Sequence, residues 1–534
     1  MGLHDAAERN TKQTGLLDSV DSIVSSVQDN PQKLYDLMIK TLENLNAQSG
    51  NHGFFKEIMG WIQSNPGSRQ WFSNLMSKDP GQLMTVLKNF FGKCAIEWVN
   101  KSNFLEKKYG FCPPFTILIT PSMRCNLSCP SCYSARQHDS GSPELDLKAM
   151  DRIIKGGKEI GVYFYTILGG EPLLLFDDLS EIANRHKDCL FLVFTNGTLI
   201  TEEMADRLFE LKNVIVAFRV NGTREDMESI RGKGIYDKVL KSMTLMKNRN
   251  LIYGISLVLT SRNHDSLSRD DFLNFWENQG IVFGWNFLFM PIGEDPDLSL
   301  MPTPQQRIRF GEFLKDYRQK HPLFLMDFWS DAPSLNGCVA GGRRFLHINN
   351  RGDVEPCIFA RHSTHNIHNC TLVEALQSPF FTFIRMNQPH TDNLLRPCMI
   401  IDNPEIYRTA CKRFHARPTQ KGADDLIKDP ELVRAIDTYS ADVAVLADEL
   451  WKTRYSEKID DMRLRKRSYR EGIDRIEFTL SSPEFFHRNR KWARYNPRFS
   501  RDMLEALTYS EQHYGTDNQR HIQIIKKQEQ ETQS

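Results

Sequence analysis

The chain has 534 residues, 40% of them hydrophobic and 25% charged, with a formal net charge of +1. That length exceeds one ordinary core and, at roughly 150 residues per domain, suggests three or four units. The near-zero charge argues against a nucleic-acid partner read over the whole surface, and the lack of any apolar run of about 18 residues excludes a bilayer-spanning helix.

The opening stretch MGLHDAAERN has neither the basic flank nor the apolar run of a signal peptide, and Ala6 stands where a myristoylation signal carries Ser or Thr. A cytoplasmic location is the expectation, and there the eleven cysteines read as ligands and core residues rather than disulfides. Residues 1–105 read as a helical extension. Leu34, Leu37, Met38, Thr41, Leu42 and Leu45 recur at helical spacing, as do Leu83, Leu87, Phe90, Phe91, Cys94, Ala95 and Trp98. Asn30-Pro31 and Asp79-Pro80 supply a cap residue followed by proline in the first turn. Such helices pack on one another or on the next domain; the sharper reading is a lid, or a surface for an apolar substrate.

From Phe115 short apolar runs alternate with amphipathic segments. Strands are expected at FTILIT (115–120), YFYTIL (163–168), LFLVFTN (190–196), VIVAFRV (214–220), YGISLVLT (253–260) and GWNFLFM (284–290), with helices between them such as 144–159 and 235–248. Strands separated by helices imply a parallel sheet whose function sits at the strand C-terminal ends, an α/β core over residues 106–330. Near residue 330 the alternation stops, and a Gly-rich, cysteine-bearing unit runs over 331–418. The last stretch, 419–534, reads as a charged helical extension in which basic residues outnumber acidic ones over 451–501. A solvated helical face explains that run, and a partner or anionic surface is the alternative. No internal repeat is apparent.

The loop after the first strand reads CNLSCPSCY (125–133), placing Cys125, Cys129 and Cys132 as C-x3-C-x2-C. Thiolates at this density select an iron-sulfur cluster or zinc. A structural zinc site wants four closed ligands, whereas three thiolates on a 4Fe-4S cluster leave one iron open for chemistry. Leu168-Gly169-Gly170-Glu171-Pro172 ends the second strand, Thr195-Asn196-Gly197-Thr198 the third, and Phe218-Arg219-Val220-Asn221-Gly222-Thr223 the fourth, followed by IRGKGIYDKVL (230–240). Each alone has a plain structural reading: a β-turn, a type I′ turn, a zinc knuckle.

Four such signals in order on successive strand ends resemble the radical S-adenosylmethionine (SAM) enzymes. The resemblance implies a partial parallel (β/α)6-type barrel with a SAM-binding 4Fe-4S cluster on Cys125, Cys129 and Cys132. SAM, chelated by the fourth iron, is cleaved to methionine and a 5'-deoxyadenosyl radical that takes a hydrogen atom from the substrate. Gly169 and Gly170 would let backbone approach the methionine moiety, and Glu171 would accept from its ammonium. Asn196 and Asn221 would surround SAM, with Ser256 and Asn263 less specific candidates. A reducing partner such as flavodoxin or ferredoxin is implied as well. The sequence departs from the pattern at Ser131, where many members carry a bulky residue, although Tyr133 follows.

Cys338 and Cys357 bracket GCVAGGRRFLHINNRGDVEPC, which reads as a hairpin turning at Asn350-Arg351-Gly352. This is similar to the opening half of the SPASM and twitch auxiliary-cluster domains. The later half departs from it, with Cys398 and Cys411 in place of a dense run of cysteines. The four thiolates would hold one auxiliary 4Fe-4S cluster, with an open iron if Cys411 is incidental; a hairpin without a cluster, or a zinc site, is the alternative. Cys370 ranks below them, Cys94 and Cys189 read as core, and Cys112 has no assigned role.

The sequence thus indicates a radical SAM enzyme with helical extensions at both ends and an unidentified substrate: a peptide or protein residue, a cofactor precursor or a lipid carbon. Trp285, Phe287, Phe289, Met290 and Pro291 suggest a bulky or apolar one, although a strand buried on both faces reads the same way. The opposing class is a non-catalytic iron-sulfur or zinc-binding interaction protein.

Overall fold

The computed structural model describes residues 31–48, 59, 62–63, 66–130, 132, 143–293 and 295–455. One mixed sheet organises them. Its strands are β1 (Thr116–Ile119), β2 (Phe164–Ile167), β3 (Leu190–Thr195), β4 (Val214–Val220), β5 (Tyr253–Leu259), β6 (Phe283–Leu288), β7 (Phe324–Asp327), β8 (Phe345–Ile348), β9 (Asp353–Glu355) and, after the two-residue β10 (His362–Ser363), β11 (His365–Asn366). The spatial order is β11-β9-β8-β1-β2-β3-β4-β5-β6-β7. Strands β1 to β7 run parallel in chain order, each joined to the next by a helical crossover.

The parallel run is wider than the six strands read from the sequence. Strand β7 adds to one side, and β8 pairs parallel with β1 on the other, Thr116 opposite Phe345. The expected hairpin exists, with β9 returning antiparallel on β8, and it extends the core sheet instead of standing apart. Among the described residues the sheet does not close, yet it curls strongly. Strands β3 and β6 are separated by two others, which in a flat sheet puts them about 14 Å apart. The rings of Phe194 and Trp285 on these strands meet at 6.3 Å, as on the concave side of a partial barrel.

Alternation along the strands sorts the two faces. Ile117, Tyr165, Val193, Val216, Ile255 and Leu257 point outward into a core shared with the crossover helices. One such helix, Leu147–Glu159, buries Met150, Ile153 and Ile154 on its apolar stripe and starts where Asp146 accepts from the Ala149 amide at 2.7 Å.

The N-terminal helices occupy the other face, at the strand N-terminal ends. They run Pro31–Gln48, Ser68–Met76 and Pro80–Leu87, the last passing through a π-helical stretch (Lys88–Ala95) into Ile96–Tyr109. Asp79 caps the third as its sequence suggests, accepting from Gln82 N at 2.7 Å. Met38, Leu42, Leu45, Phe72, Leu83, Phe91 and Trp98 share a core with Phe115, Leu190, Leu192, Ile215 and Ile252 at the starts of successive strands. The side chains of Leu34 and Leu37, like Asn30, lie outside the described residues.

Polar side chains finish the seal by pairing backbone groups that no strand reaches. Trp71 Nε1 donates to Val282 O at 2.6 Å, and buried Gln82 donates to Val214 O at 3.1 Å while accepting from Ile252 N. Asn89 donates to Cys189 O at 3.1 Å, and Trp98 to Pro113 O at 2.9 Å. These helices are therefore a floor under the barrel, at the end opposite the cysteine loop, and not a lid over its mouth.

Candidate radical SAM site

The cysteine loop leaves the C-terminal end of β1 and is threaded against the loops after β2 and β3. Gly170 N donates to Ser122 O at 3.1 Å and Glu171 N to Arg124 O at 2.8 Å, so the GGE segment extends the pairing of β1 with β2 into the loop. A Cβ on Gly169 would stand 2.3 Å from Ser122 O, and one on Gly170 2.1 Å from Arg124 O. No side chain fits there. The glycines admit the backbone of the cysteine loop itself, a closer neighbour than the cofactor invoked from sequence.

Glu171 is buried behind them. One oxygen accepts from Thr195 Oγ1 at 2.6 Å and Leu173 N at 3.0 Å, the other from Asn196 N at 2.7 Å. Burial pushes this carboxyl above its ordinary range, while the three donors favour its charged form. Three of its roughly four lone-pair directions are committed to bracing the ends of β2 and β3, which leaves one for a ligand. Asn196 continues the brace: its Nδ2 donates to Asn126 Oδ1 at 2.8 Å and reaches Cys125 Sγ at 3.9 Å, and its Oδ1 accepts from Thr198.

Cys129 and Cys132 form one turn, Cys132 N donating to Cys129 O at 3.2 Å. All three cysteines are near enough for Cys129 and Cys132 to raise the Cys125 thiol, behind the larger effect of burial; the amide of Leu127 opposes both. Burial also raises Cys129, and the positive charges of Arg231 and Arg219 pull it back. Arg231 donates to Arg219 O at 2.9 Å, and burial together with Arg219 draws its guanidinium down to about 10. The sequence reading assigned neither arginine a role, although both fall inside motifs it quoted; a basic pair facing a thiolate cluster is the signal that could have found them.

Ser256 and Asn221 are buried, and Ser256 Oγ and Asn221 Oδ1 have no hydrogen-bond partner. Asn263, by contrast, spends its side chain on Thr260 N, Asn221 O and Val258 O, stitching the end of β5 to β4. Ser131 and Tyr133 lie outside the described residues. As they stand, no three His, Cys, Asp or Glu side chains among the described residues form a ready metal-binding set. Two features nonetheless suit a cluster and SAM: a sulfur that accepts a backbone amide, and two orphaned polar side chains, Asn221 just past β4 and Ser256 within β5.

The second cysteine set shows the same amide habit. Cys357 Sγ accepts from Phe359 N at 3.5 Å, Cys398 Sγ from Ile400 N at 3.4 Å, and Cys338 from the amide of Ala340. In each the donor lies two residues on, as at Cys125 with Leu127. Burial pushes all three thiols up, Cys357 to about 12, and Cys338 adds to the rise at both Cys357 and Cys398. Cys411 differs from them in its partner. It lies on the helix Pro404–Arg413, where its thiol bonds the Tyr407 hydroxyl; that hydroxyl meets His362 Nδ1 at 2.8 Å, and His362 Nε2 meets Asp424 at 3.0 Å. Cys370 donates to Asn366 O at 3.2 Å, and Cys94 and Cys189 are buried in the core as read.

Comparison with known proteins gives this geometry a family. Residues 119–270 match the radical SAM superfamily profile. The PqqA peptide cyclase of Granulibacter bethesdensis is 26% identical over 325 residues, covering 56% of this chain and 83% of its own length. The Fe-coproporphyrin III synthase of Methanosarcina barkeri is 31% identical over 143 residues, 26% of this chain and 36% of its own length. Among solved structures, Streptococcus suis SuiB bound to S-adenosylmethionine aligns with a TM-score of 0.46 at 19% identity, covering 55% of this chain and 72% of that one. No helix among the described residues is long and apolar enough to cross a membrane. With its cysteine loop, glycine brace and strand order, the stretch 119–270 of this chain is a radical SAM domain, of a superfamily whose enzymes work with a 4Fe-4S cluster and SAM.

Proposed function

We propose that this chain holds a SAM-binding 4Fe-4S cluster on Cys125, Cys129 and Cys132 and uses SAM to take hydrogen from a bulky or apolar substrate. The observation that carries the reading is the convergence of the β2 and β3 loops on the cysteine loop, by backbone contacts that only glycine permits at positions 169 and 170. When bound, the cluster supplies one electron and a seat for SAM, whose reductive cleavage yields the 5'-deoxyadenosyl radical. The protein's part is positional. Glu171 and Asn196 fix the loop and keep one carboxylate direction for the SAM ammonium, while Ser256 Oγ and Asn221 Oδ1 are buried polar atoms that SAM would satisfy. A flavodoxin or ferredoxin would deliver the electron.

Cys338, Cys357 and Cys398 form the second site, an auxiliary cluster of the SPASM or twitch kind. Their shared amide-to-sulfur bonds support thiolate ligands, and Cys411, held by Tyr407, stands outside the set. PqqA peptide cyclase, by its name, acts on a peptide. A peptide or protein side chain is accordingly the substrate class favoured here over a cofactor precursor or a lipid.

Anaerobic reconstitution, iron counting and an assay for 5'-deoxyadenosine from SAM and dithionite test both sites. About eight irons with 5'-deoxyadenosine formed is the expected result. Replacing Cys125, Cys129 and Cys132 together by Ala should abolish that product and leave about four irons on the second set. Retained cleavage in the triple variant, or zinc without iron in the parent, would overturn the proposal.

A further inference from the structure

The face of the barrel above the floor carries four aromatic rings in a closed circuit. Phe194 on β3 meets Trp285 at 6.3 Å and Phe287 at 6.1 Å, both on β6, and these two meet Phe328, just beyond β7, at 5.3 and 5.4 Å. On β6 the alternate residues Gly284, Asn286 and Leu288 are buried while Trp285 and Phe287 are half-buried, as are Phe194 and Phe328. Core aromatics on the opposite face, such as Tyr165 and Phe218, retain no exposure. The four rings therefore face space that the protein does not fill.

That space lies between the floor and the loops of the cofactor side. Below it Trp71 of the floor donates to Val282 O and sets its ring 5.9 Å from Phe324, four residues before Phe328 on the same face. Above it is the cofactor side, where Asn196, two residues beyond Phe194, touches Cys125, while Ser256 stands level with the box, in register between Arg219 and Trp285. An occupant that enters the box from the cofactor side has its outer end beside the place where SAM would lie.

The geometry points to an aromatic box that receives a neutral, flat apolar group of the substrate, of the size of an indole or phenol ring. This rests on the radical SAM reading of the site. Rings tilted and edge-on to one another present both faces and edges to such a group, and the apolar contact area would hold it without hydrogen bonds. Aromatic boxes also bind quaternary ammonium groups. Here the four rings carry no charge, and Arg219, in register with Ser256 beside Trp285, opposes a cation on the β5 side of the box.

The test uses the full chain, reconstituted anaerobically with SAM. Binding of 3-methylindole and of benzyltrimethylammonium is measured by ligand-observed NMR, with 5'-deoxyadenosine formation followed on the same preparation. Saturable binding of 3-methylindole is expected, at least tenfold tighter than the ammonium and weakened at least tenfold in both Trp285→Ala and the milder Phe328→Leu. No saturable binding, tighter binding of the ammonium, or an unchanged Kd in a folded Phe328→Leu protein would overturn the box. A preparation that makes 5'-deoxyadenosine but fails these binding tests sinks the box alone; one that binds 3-methylindole as expected but makes none sinks the family chemistry and leaves the box.

Discussion

The two ends of the barrel are built on opposite principles. At the floor, Trp71, Gln82, Asn89 and Trp98 each give a side-chain donor to a strand-end carbonyl, and the apolar faces of the N-terminal helices fill what remains. At the mouth, Ser256 and Asn221 keep unpaired polar atoms and two glycines hold backbone against backbone with no room for a side chain. Buried groups left unpaired are costly unless a ligand satisfies them, and although the floor end also keeps one at Asn213 Oδ1, SAM is the partner proposed for those near the cysteine loop. The contrast teaches that the described helices of the extension pack on the strand starts, at the end away from the cysteine loop.

The largest effect should come from the mouth. Gly170→Ala drives a Cβ into Arg124 O, and the cysteine loop must move away from the β2 loop. A displacement of that size costs on the order of 100-fold in SAM cleavage, while thermal unfolding shifts by only a few degrees. A Gly170→Ala protein cleaving SAM at the parent rate would show that the glycine is not what places the loop.

At the floor the order reverses. Gln82→Ala leaves Val214 O and Ile252 N buried without partners, at about 1–3 kcal/mol each. Urea unfolding should show that loss, whereas SAM affinity of the folded protein stays within about twofold. A large drop in affinity with stability intact would mean that floor and mouth are coupled.

Acid should separate the second cysteine region from the floor. His347, His362, His365 and His390 all lie there and are held below their ordinary range by burial, the last two at about 4. Each has a folded pKa lower than its unfolded value, so the unfolded chain takes the proton first. Their contribution is complete above about pH 6.5 and is lost as pH falls toward about 4, at up to about 1.4 kcal/mol per pH unit for each group. The floor helices from 66 to 109 contain no histidine. Hydrogen exchange at pH 5.5 against pH 7.5 should therefore rise first in 338–400; equal change in both regions would refute the assignment.

Much of this was legible in local pattern. Strand β4 and the helix Ile235–Asn248 fall on the residues read for them, and the C-x3-C-x2-C, GGEP and TNGT segments sit at the ends of β1, β2 and β3. Periodicity and turn chemistry are properties of neighbouring residues, so a few positions suffice to fix them. The family likeness rests on the same local signals in order.

What those signals left open was decided by residues far apart in the chain. Nothing near Phe345 announces that β8 will pair with β1, and β7, four residues long, has no periodicity to reveal it. The likeness to auxiliary-cluster domains joined Cys411 to Cys338, Cys357 and Cys398, and only the packed helix shows that its thiol bonds Tyr407. The glycines of GGEP were legible as a close approach, but only the packed loops show that the approaching atoms are Ser122 O and Arg124 O. The apolar stripes of the first hundred residues required a partner without naming it; the unpaired ends of the strands supplied one, because buried backbone groups must be satisfied wherever the fold leaves them.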